Sequence, residues 1–257
     1  MRRRKRQLNE ANLPLMEHFK ALRKVLILSA YAILLGTIVG WVFSDRAFAF
    51  LAAPVIRLQD ITFITTTPLE PMLVKLKVSM LIGIVLALPV VIWQIWSFVL
   101  PALKQNERKY LYFIVPSSVL LFLAGVALCF FVVLSIGLKF LLFVGGDAVT
   151  SYTPFLTKTS YLSFLTTMFL TFGLVFQLPI VLLILIHLGV LSPQALAAKR
   201  RWAILIIVIL AVVVSPTPEL VTQLLMAGPM YLLYEISIWL GYLVARRRDK
   251  EQALKGE

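Results

Sequence analysis

Glu107 is the only acid in the segment Phe98–Lys109. Phe98, Val99, Leu100 and Pro101 precede it, and Arg108 and Lys109 follow it directly. A carboxylate can accept two N–H bonds from one guanidinium, so Glu107 is a candidate receptor for an arginine-bearing ligand. An ion pair with Arg108 or a nearby lysine is the competing use of the same acid. In the basic stretch Leu15–Lys24, Glu17 and Ala21 stand at i and i+4, one turn apart on a helix. The basic end of that stretch also suits a plain interfacial anchor. Gln177 stands two residues before Pro179, where a proline frees a backbone carbonyl that an amide can satisfy, or the amide can bond across helices. Glu235 interrupts the last apolar run. An acid at the bilayer centre costs on the order of 2.5–3.5 kcal/mol, so Glu235 must face protein, water or a partner. Glu219 escapes that cost by lying at a boundary.

Other chemistries lack their parts. The two histidines, His18 and His187, form no His-Glu-x-x-His pair, and no phosphate-cradling Gly-x-x-x-x-Gly-Lys loop occurs. The four aspartates (Asp45, Asp60, Asp147 and Asp249) fall outside the apolar runs, so no intramembrane dyad is expected. No glycine-framed serine stands beside His187 to build a hydrolase. Cys129 is the sole cysteine, which rules out an internal disulfide and reads as a small buried hydrophobe. Neither enzyme activity, metal nor cofactor is expected. Work on a substrate would draw on an outside source such as the membrane potential, about 2.3 kcal/mol per charge per 100 mV.

The elements that must hold these residues are membrane helices. The chain is 60% hydrophobic and 14% charged, with mean hydropathy +0.93; soluble domains have about 45–50% and about 25%. Apolar runs of crossing length are Val25–Phe43, Val78–Trp96, Leu111–Leu138, Tyr161–Ile186 and Leu220–Val244. Trp202–Val214 has only 13 residues but is read as a short span, because charge placement requires a crossing there and a bilayer can thin locally. With both termini inside, 19 of the 25 Lys and Arg residues fall on the inner segments. The net charge of +13 therefore reflects topology and anionic lipid headgroups rather than nucleic acid. The first apolar run, at 19 residues, exceeds the roughly 7–15 of a cleavable signal, so a retained helix is expected. The expectation is an all-α membrane protein with six spans, a basic cytoplasmic segment 1–24, a single membrane domain 25–244 and a basic tail 245–257. The outer segments 44–77 and 139–160 contain Pro54, Pro68, Pro71 and Pro154, which favour extended or turn geometry nearby. Gly36-x-x-x-Gly40 permits a close helix approach, and Trp93, Trp96 and Trp202 suit interfacial anchoring.

Taken in order, these segments resemble the TatC family, the polytopic subunit of the twin-arginine protein translocase, over roughly residues 13–245. The similarity rests on His18, Leu22 and Arg23 near the amino terminus, Pro54 in the first outer segment, and Phe98 to Arg108 with Pro101-Ala102-Leu103. It continues through Ser215-Pro216-Thr217-Pro218-Glu219, Pro229-Met230-Tyr231 and Glu235. The resemblance implies a concave bundle with short fifth and sixth spans, acting as receptor for signal peptides with paired arginines on folded cargo. It implies a multi-pass protein of the cytoplasmic membrane, single-span TatA or TatB partners, self-association in a larger complex, and transport driven by the proton-motive force. Signal-peptide contacts then fall to Glu107, Phe98, Leu22 and Arg23, with Leu103 as a further apolar contact. Gln177, Glu219 and Glu235 become intramembrane or partner contacts, and Pro54, Pro101 and Pro179 structural points. Two departures stand out. Ala21 replaces the family's usual glutamate, and Glu17, one turn away, is the expected substitute. Gln177 stands where many relatives carry glutamate, keeping hydrogen-bonding capacity without titrating. A secondary transporter using Gln177 and Glu235 as a midplane site is the second reading, weakened by the absence of a visible inverted repeat.

Overall fold

The computed structural model describes residues 13–56, 63–99, 111–143, 155–215 and 220–255. Among them the helices are α1 (Leu13–Ile56), α2 (Glu70–Val99), α3 (Leu111–Leu128), α4 (Leu134–Phe143), α5 (Lys158–Val175), α6 (Leu178–His187), α7 (Pro193–Ala198), α8 (Arg200–Val214) and α9 (Leu220–Lys255). A single wide π turn, Cys129–Val133, joins α3 to α4. Two short strands, β1 (Phe63–Ile64) and β2 (Leu156–Thr157), pair in parallel, Phe63 opposite Leu156 and Ile64 opposite Thr157. Helices dominate because a backbone in hydrocarbon must satisfy its N–H and C=O groups within itself.

Five stretches are long and apolar enough to cross a membrane: Phe19–Ile56, Glu70–Phe98, Tyr112–Phe140, Lys158–His187 and Leu220–Arg246. Three expectations need correction. The first helix does not end near Phe43 but continues through Asp45 and Pro54 to Ile56. Asp45 is exposed there and pairs with Lys75 at 3.2 Å. Pro54 has no N–H to give the carbonyl of Phe50 one turn back, yet the helix runs two residues past it, so it sits inside a helix rather than in an extended loop. The last span is not short, since its apolar stretch covers 27 residues. The short one is α8, whose 15 residues rise about 22 Å.

The chain forms two compact units, Met1–Ala49 with Met72–Val119, and Phe50–Pro71 with Leu120–Glu257. In the first, α1 and α2 approach backbone to backbone: a Cβ added to Gly36 would lie 2.7 Å from the Gly83 carbonyl oxygen, and one on Gly40 2.6 Å from that of Ser79. The Gly36-x-x-x-Gly40 spacing thus marks a real crossing, and Gly83 completes it on the facing helix. Lys75 also lies over the Trp41 ring, 5.4 Å from its centroid.

The second unit packs α9 against α6, α7 and α8 around Ile207, Met230, Tyr234 and Ile238. Phe130 of the π turn stacks on Phe50 at 5.0 Å and meets Phe169 edge-on at 6.2 Å. Helices α5 and α6 are one crossing interrupted at Phe176-Gln177, with Pro179 in the first turn of α6. Proline has no N–H to donate, which accounts for the break.

Candidate functional site

Of the residues predicted to receive a signal peptide, Leu22 and Arg23 are exposed on α1, and Phe98 is half-buried one residue before the end of α2. Glu17 lies on α1 one turn from Ala21. Glu107, Leu103 and Pro101, like Glu219, lie outside the described residues. What the structure does describe is the frame around residues 100–110. Trp96 Nε1 donates to Ser118 Oγ at 3.0 Å, joining α2 to α3, and Trp93 meets Tyr112 edge-on at 5.7 Å. Trp93 and Trp202 are exposed, as interfacial anchors should be, but Trp96 is buried. Its anchoring role is replaced by the bond to Ser118.

The predicted intramembrane polar residues are placed separately. Gln177 stands half-buried at the break, its carbonyl accepting from Val181 N at 3.1 Å and its own N–H donating to Leu174 O at 3.0 Å. Glu235 is gripped in a fork: Arg200 Nε reaches Oε1 at 2.8 Å and a terminal guanidinium nitrogen reaches Oε2 at 2.9 Å. Tyr231 OH donates to Oε1 at 2.9 Å. The demand that this acid face a partner is thus met within the chain, by the first residue of α8. Hydrogen bonding to Glu235, and then its charge, raises Arg200 above its ordinary value. Nearby, Tyr234 OH donates to Leu196 O at 2.9 Å, fixing the α7 hairpin to α9.

Glu70 carries an arrangement that the sequence reading missed. It is buried, accepting at Oε2 from Thr66 N (2.7 Å) and Thr66 Oγ1 (3.2 Å), and at Oε1 from Thr159 N (3.1 Å). Thr159 is the second residue of α5, whose unpaired first-turn amides attract a carboxylate. One side chain therefore closes the start of α2 and the start of α5 together. Tyr161 OH reinforces the same end by donating to Leu51 O at 2.6 Å, beneath Phe63. The spacing Thr67-Pro68-Leu69-Glu70 has capping-box form and would point to Thr67 N, whereas the donors are Thr66 and Thr159. Among the described residues no cluster of His, Cys, Asp and Glu could hold a metal ion.

Residues 17–229 match the family described as Sec-independent protein translocase protein (TatC). A Sec-independent protein translocase protein TatC from Carboxydothermus hydrogenoformans is 42% identical over 231 residues, covering 90% of this chain and 93% of that protein. One from Aquifex aeolicus is 37% identical over 241 residues, covering 93% and 99%. The crystal structure of a twin arginine translocase receptor, TatC, superposes with a TM-score of 0.76 at 38% identity, covering 88% of this chain and 99% of that one. These relatives are protein translocases, which leaves the small-solute transporter reading without support.

Proposed function

The chain belongs to the TatC family of Sec-independent protein translocase proteins, and from that membership we propose that it receives twin-arginine signal peptides at its cytoplasmic face. It is a translocase component and not an enzyme, and a multi-pass protein of the cell membrane. Six spans carry it across: the five long apolar stretches and Trp202–Val214 in α8, with the basic segment 1–24 and the tail 245–257 on the cytoplasmic side. The excess of Lys and Arg on those segments supports this orientation.

Glu107 takes a guanidinium of the paired arginines, Phe98 and Leu103 offer apolar contacts, and Leu22 and Arg23 complete the site on α1. Glu17 supplies the second carboxylate that Ala21 lacks. Folded cargo docked there passes to an assembly with TatA or TatB type single-span subunits and further copies of this chain, powered by the proton-motive force. Gln177 and Glu219 line the faces that meet those subunits, while Glu235 stays held by Arg200 within the chain. The observation that carries this reading is the likeness to a twin arginine translocase receptor along nearly the whole of both chains.

The test is capture of a twin-arginine peptide against a twin-lysine control, with site-specific crosslinking in Glu107→Gln and Glu17→Ala. Preferential arginine capture that Glu107→Gln removes is the expected result. Equal capture of both peptides would sink the receptor reading, and unchanged crosslinking in Glu17→Ala would remove Glu17 from the site.

A further inference from the structure

The corner between α7 and α8 carries three consecutive basic residues, Lys199, Arg200 and Arg201, followed at once by Trp202. Only the middle one is spent inside the chain. Arg200 turns to α9, where both carboxylate oxygens of Glu235 hold its guanidinium. Successive helical residues are rotated by about 100°, so Arg201 and Trp202 swing progressively away from α9. Both are exposed, Trp202 by 67%, and Lys199 is exposed beside them at the cap that α7 and α8 share. Tyr234 OH donates to Leu196 O, which pins α7 to α9 and keeps the corner in this orientation. Among the described residues neither Lys199 nor Arg201 has an acid partner. Glu235, the acid on the facing part of α9, is already neutralised by Arg200 and does not draw Arg201 inward.

An ammonium, a guanidinium and an indole N–H offer hydrogen-bond donors and no acceptor. Such a set suits a phosphate, which a guanidinium can meet with two parallel bonds, and it repels a cation. The apolar run of α8 starts at Trp202, which brings both charges to the edge of the hydrocarbon, at the level of the lipid headgroups. Resting on the reading that α8 crosses the membrane with this end at the cytoplasmic face, we propose that Lys199, Arg201 and Trp202 bind the phosphate headgroup of an anionic phospholipid. A zwitterionic headgroup brings a cation of its own to the same donors and is held less well.

The test reconstitutes the full-length protein in vesicles of phosphatidylcholine and phosphatidylglycerol, with bromine on the acyl chains of one lipid or the other. Bromine quenches a nearby tryptophan, and the Trp202 signal is the difference between each protein and the same protein carrying Trp202→Phe. Phosphatidylglycerol is expected to be enriched at Trp202 in the parent protein. Lys199→Gln and Arg201→Gln should each lower that preference about fivefold, and together bring the two lipids near parity. Equal quenching by both lipids in the parent, or a preference untouched in both variants, overturns the proposal. If one variant fails to insert, the other decides alone. Loss of the preference to added inorganic phosphate, but not to sodium chloride of equal ionic strength, would assign the surface to free phosphate and overturn the lipid as its occupant. If neither lipid quenches Trp202, the residue lies away from the membrane boundary, and the crossing by α8 falls together with the lipid surface.

Discussion

The α1–α2 crossing gives the most quantitative expectation. In Gly83→Ala the new Cβ would lie 2.5 Å from Thr37 Oγ1, 2.6 Å from Thr37 N and 2.9 Å from Ile33 O. The hydroxyl can turn away only by giving up its 2.8 Å bond to Ile33 O, and the backbone nitrogen cannot move alone. The helices must part by about 0.8 Å to restore 3.4 Å of ordinary contact, and overpacking of this kind costs about 1–3 kcal/mol. Glycine to alanine within a helix otherwise stabilises by about 0.5–1 kcal/mol, which leaves a net loss of up to about 2.5 kcal/mol. For a chain of this size that corresponds to a fall in Tm of up to about 10 °C. Cys129, the sole cysteine and fully buried, supplies the assay, since a thiol-reactive fluorophore reports its exposure on heating. Gly137→Ala is the internal control: among the described residues outside its own helical turn no atom lies within 4 Å of its added Cβ, so its Tm should hold or rise. A Gly83→Ala protein as stable as Gly137→Ala would refute the close crossing.

Two further expectations concern polar ties. Glu70→Gln leaves one acceptor oxygen for three donors and sets an NH2 group against a backbone N–H. Hydrogen exchange at the Thr66 and Thr159 amides should quicken severalfold, and unchanged exchange would show that the carboxylate does not hold that end. Arg200→Glu or Glu235→Arg alone places like charges at 2.8 Å spacing, and should cut the amount of folded protein in membranes severalfold. The double exchange should restore most of it, whereas a double variant no better than the singles would remove the fork as a pair.

Five of the crossings were legible because hydrocarbon leaves few ways to satisfy a backbone, so apolar length and helix coincide. Pro179 was read as freeing a carbonyl inside one span, and the interruption it brings at Phe176-Gln177 was not foreseen. Gly36 and Gly40 announced a close approach, and the facing helix carries its own small-residue spacing, Ser79-x-x-x-Gly83-x-x-x-Ala87, which went unread although Ser79 and Gly83 are the residues met. Pro54 misled, because the helix carries on for two residues beyond it although the proline leaves the Phe50 carbonyl without its helical donor. Glu235 was rightly read as needing satisfaction, yet Arg200 stands 35 residues away and its basic character fitted equally well with topology. Glu70 is the largest miss: its donors are Thr66, one residue off the capping-box position, and Thr159, 89 residues on, a contact that depends on how the two helix starts meet.

The wide turn at Cys129–Val133 has a consequence for how this crossing tolerates length changes. Such a turn accommodates one residue more than ordinary helix between two regular stretches. Removing one residue there would let it tighten into regular winding while Val115 and Ser118 on one side, and Leu138 on the other, keep their neighbours. A crossing has no loop in which to hide an insertion or deletion, and this turn gives the third apolar stretch a place for one at its middle.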